Sequence, residues 1–382
     1  MPGPGPSPRT ALHRVSGLNL PTCRLVGVVV CCVTELIPAL TRVSCRPSSG
    51  SDRKPAPELF SRTTYIPRHI VYKLMLSALL NAVPVSRGAI QPYLALIRVQ
   101  FLSFTVVVVS LPAAVAVEAG VFSPANTVFA LGSVLFAHIA VNTLNLASDY
   151  RTGIDAETDE TPYSGGNDVI TNNTLSYRRA LFVGTLSIVL SASFVLPLVL
   201  SFGAPVLLFY GVGITLVVGY TDVFARVGLG ETACGLGLTL LPTIAVGYIQ
   251  AGRVLEPLPF LGVPMFLIGF NLLLLNELPD VAADSSNGRV NIPIVLGRQR
   301  AGELYFVLVA ALVGSLLYLV WTNDLPVTVL VALLPVVLLA SVFDSIVLQR
   351  DPELTEAELA KHILWTQATI AGLTAGMLLT AL

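Results

Sequence analysis

Charged residues are scarce in this chain. Only 12% of its 382 residues are Asp, Glu, Lys or Arg, about half the share found in soluble globular proteins. Apolar residues make up 54% of the sequence, and the mean hydropathy is +0.77. Apolar runs at 106–117, 206–219 and 329–342 carry more apolar surface than one water-soluble core could bury. This composition excludes a soluble enzyme, a nucleic-acid-binding domain and a disordered scaffold.

Cysteine is also rare and poorly placed for chemistry. The chain has five cysteines, and four of them lie in the first 74 residues: Cys23, Cys31, Cys32 and Cys45. None shows the spacing of a metal site, and the remaining one, Cys234, lies in an apolar segment. The cysteines therefore favour neither a disulfide scaffold nor a zinc site.

The net charge of -1 is the sum of two unlike parts. Residues 1–74 contain ten basic and three acidic residues, whereas 75–382 contain twelve basic and twenty acidic ones. We expect 1–74 to be an N-terminal extension, disordered or dispensable, and 75–382 to be the working domain. The apolar segment 25–40 is short for a membrane span. It is compatible with a tenth helix, an interfacial helix or a targeting segment.

Apolar stretches of ~20 residues predict transmembrane helices, and nine of them follow residue 90. They lie at about 95–117, 125–148, 179–201, 204–221, 230–251, 258–278, 301–321, 325–348 and 362–382. Because the connecting loops are short, the helices should pack as one bundle. The predicted fold is an all-α membrane protein with about nine transmembrane helices in a single domain.

The positive charges predict the orientation of this bundle, because Lys and Arg concentrate on the cytoplasmic side of membrane proteins. Of the twelve basic residues after position 74, eleven fall at one face, and only Arg253 falls at the other. We therefore expect a multi-pass protein of the cell membrane with the loops 149–178 and 279–300 in the cytoplasm. The C-terminus is then on the opposite side.

Two polar clusters end the second and sixth predicted spans. A 4-3-4 spacing places the members of the first cluster on one helical stripe, and the second cluster repeats every four residues. The first consists of His138, Asn142, Asn145 and Asp149, and the second of Asn276, Asp280 and Asp284. Neighbouring carboxylates repel one another unless a cation offsets them, and Mg²⁺ bound together with a diphosphate suits such oxygen ligands. The alternative is that these polar groups only join neighbouring helices by hydrogen bonds.

These motifs resemble the two aspartate-rich motifs of the UbiA superfamily of intramembrane prenyltransferases. The similarity covers about 90–382 and is greatest to the menaquinone-type branch. It includes Asn145-x-x-x-Asp149 with Asp155, Asp280-x-x-x-Asp284, the segments 161–166, 228–231 and 292–297, and the pair 288–289. One departure is Leu146, because the family often has an acidic residue directly after the asparagine.

The resemblance implies transfer of a polyprenyl group from polyprenyl diphosphate to a small aromatic acceptor, 1,4-dihydroxy-2-naphthoate, in quinone biosynthesis. It implies Mg²⁺ as the cofactor and the lipid bilayer as the surroundings, with no nucleic-acid partner. The catalytic residues would be Asp149, Asp155, Asp280 and Asp284, which together with Asn145 would be the metal ligands. The substrate-binding residues would be Arg98, Asn142, Asn145, Arg151, Tyr163, Ser164, Tyr220, Arg226, Asn276 and Arg289.

Several of these roles have equally good alternatives. Each arginine alone is also explained by topology, and the loop 163–167 is either an anion-binding nest or a lid. Glu231 begins a predicted helix, where an acid is favourable by itself. We expect His138 to form a helix-packing hydrogen bond. Because the ring carboxylate of a naphthoate acceptor would leave as carbon dioxide, no dedicated protein base is required.

Other functions also remain open. Another acceptor of the same superfamily, 4-hydroxybenzoate or a glycerol phosphate ether-lipid precursor, would use the same motifs. A transporter is the alternative outside enzymes, but its coupling sites are expected near the middle of the bilayer on interrupted helices.

Overall fold

The structure is a computed structural model that describes residues 87–154 and 169–381. The described residues all belong to one unit of the chain, Val83–Leu382. The extension 1–74, with its apolar segment 25–40, lies outside the described residues, and so the expectation for it stays a prediction.

Helices and their connecting turns make up the described part of the chain, which contains no strand. In chain order, the helices are α1 (Arg87–Leu96), α2 (Val99–Glu118), α3 (Pro124–Thr152), α4 (Tyr177–Phe202), α5 (Ala204–Gly219), α6 (Gly230–Ala251), α7 (Leu258–Asn276), α8 (Val281–Ser286), α9 (Ile292–Leu296), α10 (Arg298–Trp321), α11 (Val327–Leu348) and α12 (Glu356–Thr380). The predicted all-α fold is confirmed.

Eight of the helices are long and apolar enough to cross a membrane: α2, α3, α4, α6, α7, α10, α11 and α12. The remaining predicted span coincides with α5, an apolar helix of 16 residues. At 1.5 Å per residue, α5 is about 24 Å long, somewhat less than the ~30 Å of a hydrocarbon core. Each of the nine predicted spans therefore corresponds to an observed helix.

Local sequence signals set the ends of α3, which carries the first polar cluster. The Ser123 side chain accepts a hydrogen bond from the backbone N–H of Asn126, and Pro124 occupies the first turn. At the other end Gly153 takes φ 91°, a left-handed conformation that glycine adopts without strain and that ends the helix. Asp149 therefore lies in the last turn of α3.

The main core lies between α2, α7, α10, α11 and α12. Its largest fully buried side chains include Ile268, Tyr305 and Trp365. Large apolar side chains are instead exposed on the outside of the bundle, for example Phe182 at 65% and Trp321 at 78%. An apolar exterior of this kind is suited to lipid rather than to water.

Helices α6 and α7 approach each other closely at two glycines. A Cβ on Gly269 would lie 2.5 Å from Thr239 Oγ1 and 3.0 Å from Gly235 Cα, and a Cβ on Gly235 would lie 2.8 Å from the carbonyl oxygen of Phe266. Only glycine leaves room for this contact. In membrane bundles, small residues commonly allow such backbone approach.

Candidate active site

A cavity of about 250 Å³ lies between the helix ends that carry the two polar clusters. Its wall includes nine of the residues predicted to bind substrate or metal: Arg98, Asn142, Asn145, Asp149, Tyr220, Asn276, Asp280, Asp284 and Arg289. The two motifs are more than 100 residues apart in the chain, and the fold brings them to one site.

The first cluster is held by contacts with neighbouring segments. The Asn142 side-chain nitrogen donates to the carbonyl oxygen of Ile97 (3.0 Å), and that of Asn145 donates to Thr221 Oγ1 (3.1 Å). Both residues therefore keep their amide oxygens for other partners. His138 Nδ1 lies 2.7 Å from Thr105 Oγ1 on α2, and so the predicted helix-packing hydrogen bond is confirmed.

The second cluster does not form one continuous helical stripe. α7 ends at Asn276, a turn follows, and α8 begins at Val281. The interruption coincides with Pro279, which lacks a backbone N–H and disfavours helical geometry at the preceding residue. Asp284 therefore belongs to a separate short helix, and its side chain is buried at the cavity wall.

Arg289 links the two clusters directly. One guanidinium nitrogen pairs with Asp149 Oδ1 on α3, and the other lies 2.9 Å from Asp284 Oδ1 on α8. Asn291 also donates to Asp284 Oδ2 at 3.0 Å. Burial raises the pKa of Asp284, and the guanidinium opposes this shift. Burial alone would lower the pKa of Arg289, but the two carboxylates outweigh it and raise that pKa.

Two predicted arginines lie away from the cavity wall. Arg151 pairs with Asp222 at 2.8 Å, and the two side chains are about half exposed. Arg226 lies beside Gly288. The predicted site residues Asp155, Tyr163 and Ser164 fall outside the described residues, and so their roles stay predictions.

The cavity wall also contains an acid, Glu277, that is not among the predicted site residues. Glu277 follows Asn276 directly and lies next to Glu231 at the start of α6. Burial and the neighbouring Glu231 carboxylate raise the pKa of Glu277 well above its usual value. The signal in the sequence was an acidic residue at the end of an otherwise apolar span, which marks a functional position in membrane proteins.

A second, more apolar cavity of about 110 Å³ lies between α3, α4, α5 and α6. It shares four wall residues with the first cavity, namely Val134, Ala137, Val217 and Gly237. The polar site is therefore adjacent to an apolar pocket deeper in the bundle.

The described residues contain no group of three His, Cys, Asp or Glu side chains placed to hold a metal ion by themselves. The carboxylates of Asp149 and Asp284 are instead joined through Arg289. Mg²⁺ commonly uses only one or two protein carboxylates and completes its coordination with water and substrate phosphates. This donor set is therefore compatible with Mg²⁺ that binds together with a phosphorylated ligand.

These features define a multi-pass helical membrane protein with an acidic cavity at the ends of its spans. Residues 106–365, more than half of the chain, match the UbiA prenyltransferase family. The chain belongs to this family and is a prenyltransferase. The predicted family resemblance is therefore confirmed at the level of the family. No curated protein sequence matches the chain.

Three solved structures have a similar fold. A UbiA homologue from Aeropyrum pernix K1 is 17% identical, with a TM-score of 0.55 over 72% of this chain and 98% of its own. A UbiA homologue from Archaeoglobus fulgidus bound to DMAPP and Mg²⁺ is 18% identical, with a TM-score of 0.54 over 75% and 98%. A digeranylgeranylglyceryl phosphate synthase is 13% identical, with a TM-score of 0.53 over 77% and 99%. At these identities the likeness concerns the fold alone.

Proposed function

We propose that this prenyltransferase transfers a polyprenyl group from its diphosphate to an aromatic acceptor of the 1,4-dihydroxy-2-naphthoate type, in quinone biosynthesis. The observation that carries this proposal is the single cavity in which both aspartate clusters meet Arg98 and Arg289. Carboxylates and guanidinium groups at one site suit a metal-bound diphosphate, and an apolar pocket next to them suits an isoprenoid tail.

Asp149, Asp280, Asp284 and the amide oxygen of Asn145 would hold Mg²⁺, and Asp155 completes the proposed set. All of these ligands offer oxygen, which Mg²⁺ prefers. The gap between Asp149 and Asp284 already accommodates the positive charge of Arg289. When bound, the ion would offset the negative charge that grows on the departing diphosphate. The cofactor proposal agrees with the Mg²⁺ bound in the Archaeoglobus fulgidus homologue.

The protein's own residues bind the donor and protect it. Arg98 binds the diphosphate oxygens, because a guanidinium matches them with two parallel donors. Arg289, which pairs with Asp149 and Asp284, adds positive charge beside them. Phe101, Phe104 and Leu272 of the same wall are apolar and exclude water, which would otherwise capture the allylic cation. Tyr220 stands at this wall as well, with its ring available to the cation.

The isoprenoid tail extends into the second cavity. That cavity is lined mostly by apolar side chains, and it adjoins the polar site at Ala137 and Gly237. Methylene groups of the tail gain free energy on leaving water for such surroundings. The tail therefore lies between α3, α5 and α6.

We place the enzyme in the cell membrane with the cavity mouth in the cytoplasm. The mouth then has access to soluble diphosphates and acceptors, and the tail remains within the bilayer. The support for this orientation is the charge bias of the sequence, eleven basic residues on one face against one on the other.

The decisive experiment supplies the purified enzyme in lipid nanodiscs with labelled polyprenyl diphosphate, Mg²⁺ and a panel of acceptors. The panel contains 1,4-dihydroxy-2-naphthoate, 4-hydroxybenzoate and a glycerol phosphate. We expect a prenylated naphthol that disappears on chelation of Mg²⁺. Product from the glycerol phosphate alone would reassign the acceptor. The absence of product with every acceptor would contradict the proposed prenyl-transfer activity.

Two variants test the assignment of the diphosphate site. Asp284→Asn should abolish turnover, because it removes a buried carboxylate at the cavity wall. Asp351→Asn is the matched control, since Asp351 is exposed in a loop before α12. Full activity of Asp284→Asn in a folded protein would remove Asp284 from the proposed site.

A further inference from the structure

Two acids, Glu231 and Glu277, meet beside the proposed diphosphate site, and Glu277 is part of the cavity wall. Glu231 is 1% exposed, and its Oε1 accepts a hydrogen bond of 2.6 Å from the backbone N–H of Ile292. Its carboxyl group also lies next to that of Glu277. Glu231 thereby connects the start of α6, the turn after α7 and the start of α9. Of the two acids, Glu277 is the one that lines the cavity.

This wall has two oxygen acceptors without donors. Glu277 Oε2 and the neighbouring Asn276 Oδ1 are both buried, and neither has a hydrogen-bond partner. Buried polar atoms are satisfied in the great majority of cases, and an unmet acceptor costs free energy. A pair that served only to join α6 to α7 would have no reason to leave these atoms unmet. Both atoms belong to residues of the cavity wall. A ligand bound in the cavity would therefore supply the missing hydrogen-bond donors.

The position of these atoms matches that of a second substrate. Asn276 and Glu277 precede Asp280 by four and three residues, on the segment that leads into the cavity's carboxylate cluster. In a prenyl transfer, the attacking carbon must come within about 3.5 Å of the carbon that carries the diphosphate. The acceptor therefore has to lie directly beside the diphosphate, where this wall stands.

We propose that Glu277 Oε2 and Asn276 Oδ1 form the subsite that binds the ring hydroxyl groups of the acceptor. The inference deepens the proposed function and rests on it. Hydroxyl groups supply the donors that the two oxygens lack. Contact with the carboxyl group also orients the ring toward the donor carbon. Glu231, which accepts a hydrogen bond from the backbone N–H of Ile292, is a positioning residue that lies next to the Glu277 side chain.

The test compares Glu277→Leu, Glu277→Gln and wild type in the full-length enzyme. Leu removes the acceptor atoms, whereas Gln retains one neutral acceptor. We expect kcat/KM for the naphthoate acceptor to fall about 100-fold in Glu277→Leu and about 10-fold in Glu277→Gln, as when a buried donor is left without its partner. The Kd for prenyl diphosphate with Mg²⁺, measured without acceptor, should change by less than about twofold. Glu353→Leu is the matched control, since Glu353 is 81% exposed.

A second arm does not depend on the variants folding. Each mono-O-methyl ether of the acceptor lacks one donor, and at least one of them should lose about 10-fold or more in kcat/KM with wild type. In Glu277→Leu, that ether should lose little further, because the hydrogen bond is already absent.

The outcomes separate the subsite from the proposed function. If wild type prenylates no aromatic acceptor, the proposed function is wrong, and the subsite is wrong with it. If wild type is active but Glu277→Leu keeps its acceptor kcat/KM, or both ethers react as well as the parent, only the subsite is wrong. A rise in the donor Kd of Glu277→Leu equal to its loss in kcat/KM would assign Glu277 to the diphosphate site and overturn the proposal.

Discussion

At the scale of single residues, Arg289 matters most, because it holds two buried carboxylates that belong to different motifs. Removing its charge leaves Asp149 and Asp284 facing one another without a cation. We expect Arg289→Gln to lose about 3 kcal/mol of stability, as is typical when one partner of a buried ion pair is removed. Added Mg²⁺ should restore part of this loss, because it can stand between the same oxygens. Thermal unfolding of the purified protein with and without Mg²⁺ measures both effects.

Arg151→Gln is the control for that variant. Its ion pair with Asp222 is half exposed to solvent, and so its removal should cost no more than about 1 kcal/mol. Equal melting temperatures for the two variants would show that the ion pairs of Arg289 with Asp149 and Asp284 do not stabilise the protein.

The surroundings of Leu146 account for the apolar residue at this position. The side chain is fully buried in a cluster with Leu96, Ile170 and Ala180, away from the cavity wall. A carboxylate at this position would therefore not reach the metal site.

Leu146→Asp should destabilise the protein by at least about 3 kcal/mol, because it places an unpaired charge in an apolar cluster. Leu146→Met, which nearly conserves volume, should cost less than about 1.5 kcal/mol. Denaturation in detergent compares the two variants. A gain in Mg²⁺-dependent activity in Leu146→Asp would contradict this placement.

At the scale of elements, the crossing of α6 and α7 determines the shape of the cavity. Cys234 on α6 lines the cavity, and so do Glu277 and Asp280 after α7, so a change in the separation of the two helices moves both parts of the wall. Gly269→Ala should force the helices apart, cost about 1–3 kcal/mol and lower kcat/KM for the acceptor. Stability and steady-state kinetics on the same preparation check this.

The matched control is Gly314→Ala in α10. No atom lies within 4 Å of a Cβ at Gly314, and alanine favours a helix by up to about 1 kcal/mol over glycine. This variant should be unchanged or slightly more stable. Wild-type behaviour of Gly269→Ala would show that the crossing has room to adjust.

The passage between the two cavities should determine which prenyl chain lengths the enzyme accepts. Ala137 of α3 lines both cavities, and a large side chain there would close the passage. Ala137→Phe should lower kcat/KM for long polyprenyl diphosphates by about 10-fold or more relative to a five- or ten-carbon donor. Val128→Phe, at a 54% exposed position of the same helix, is the control. An equal loss for short and long donors would place the tail elsewhere.

At the scale of the whole molecule, nine spans would put the two ends of the bundle on opposite sides of the membrane. A reporter fused after Leu382 should therefore be active only outside the cytoplasm, and a reporter inserted in the loop 279–300 only within it. α5 is the shortest apolar helix among the spans. If both reporters give a cytoplasmic signal, α5 or another helix does not cross the membrane.

Much of the fold and part of the site follow from the sequence. The low charge, the apolar runs and their spacing predict nine helices, because a bilayer requires spans of fixed length and internally bonded backbone. The spacing of Asn145, Asp149, Asp280 and Asp284 predicts two polar clusters at helix ends. Helix ends such as the one at Gly153 can also be predicted, because they depend on local sequence.

Contacts between distant segments could be decided only by the tertiary structure. Arg289 reaches Asp149 across 140 residues, and Glu231 lies next to Glu277 although 46 positions separate them in the chain. Pro279 interrupts the expected stripe at the end of α7, and Leu146 turns into the bundle rather than into the cavity. A periodic pattern shows which side chains share a face of one helix. It does not show which helix that face meets, because the packing of all the spans decides this together.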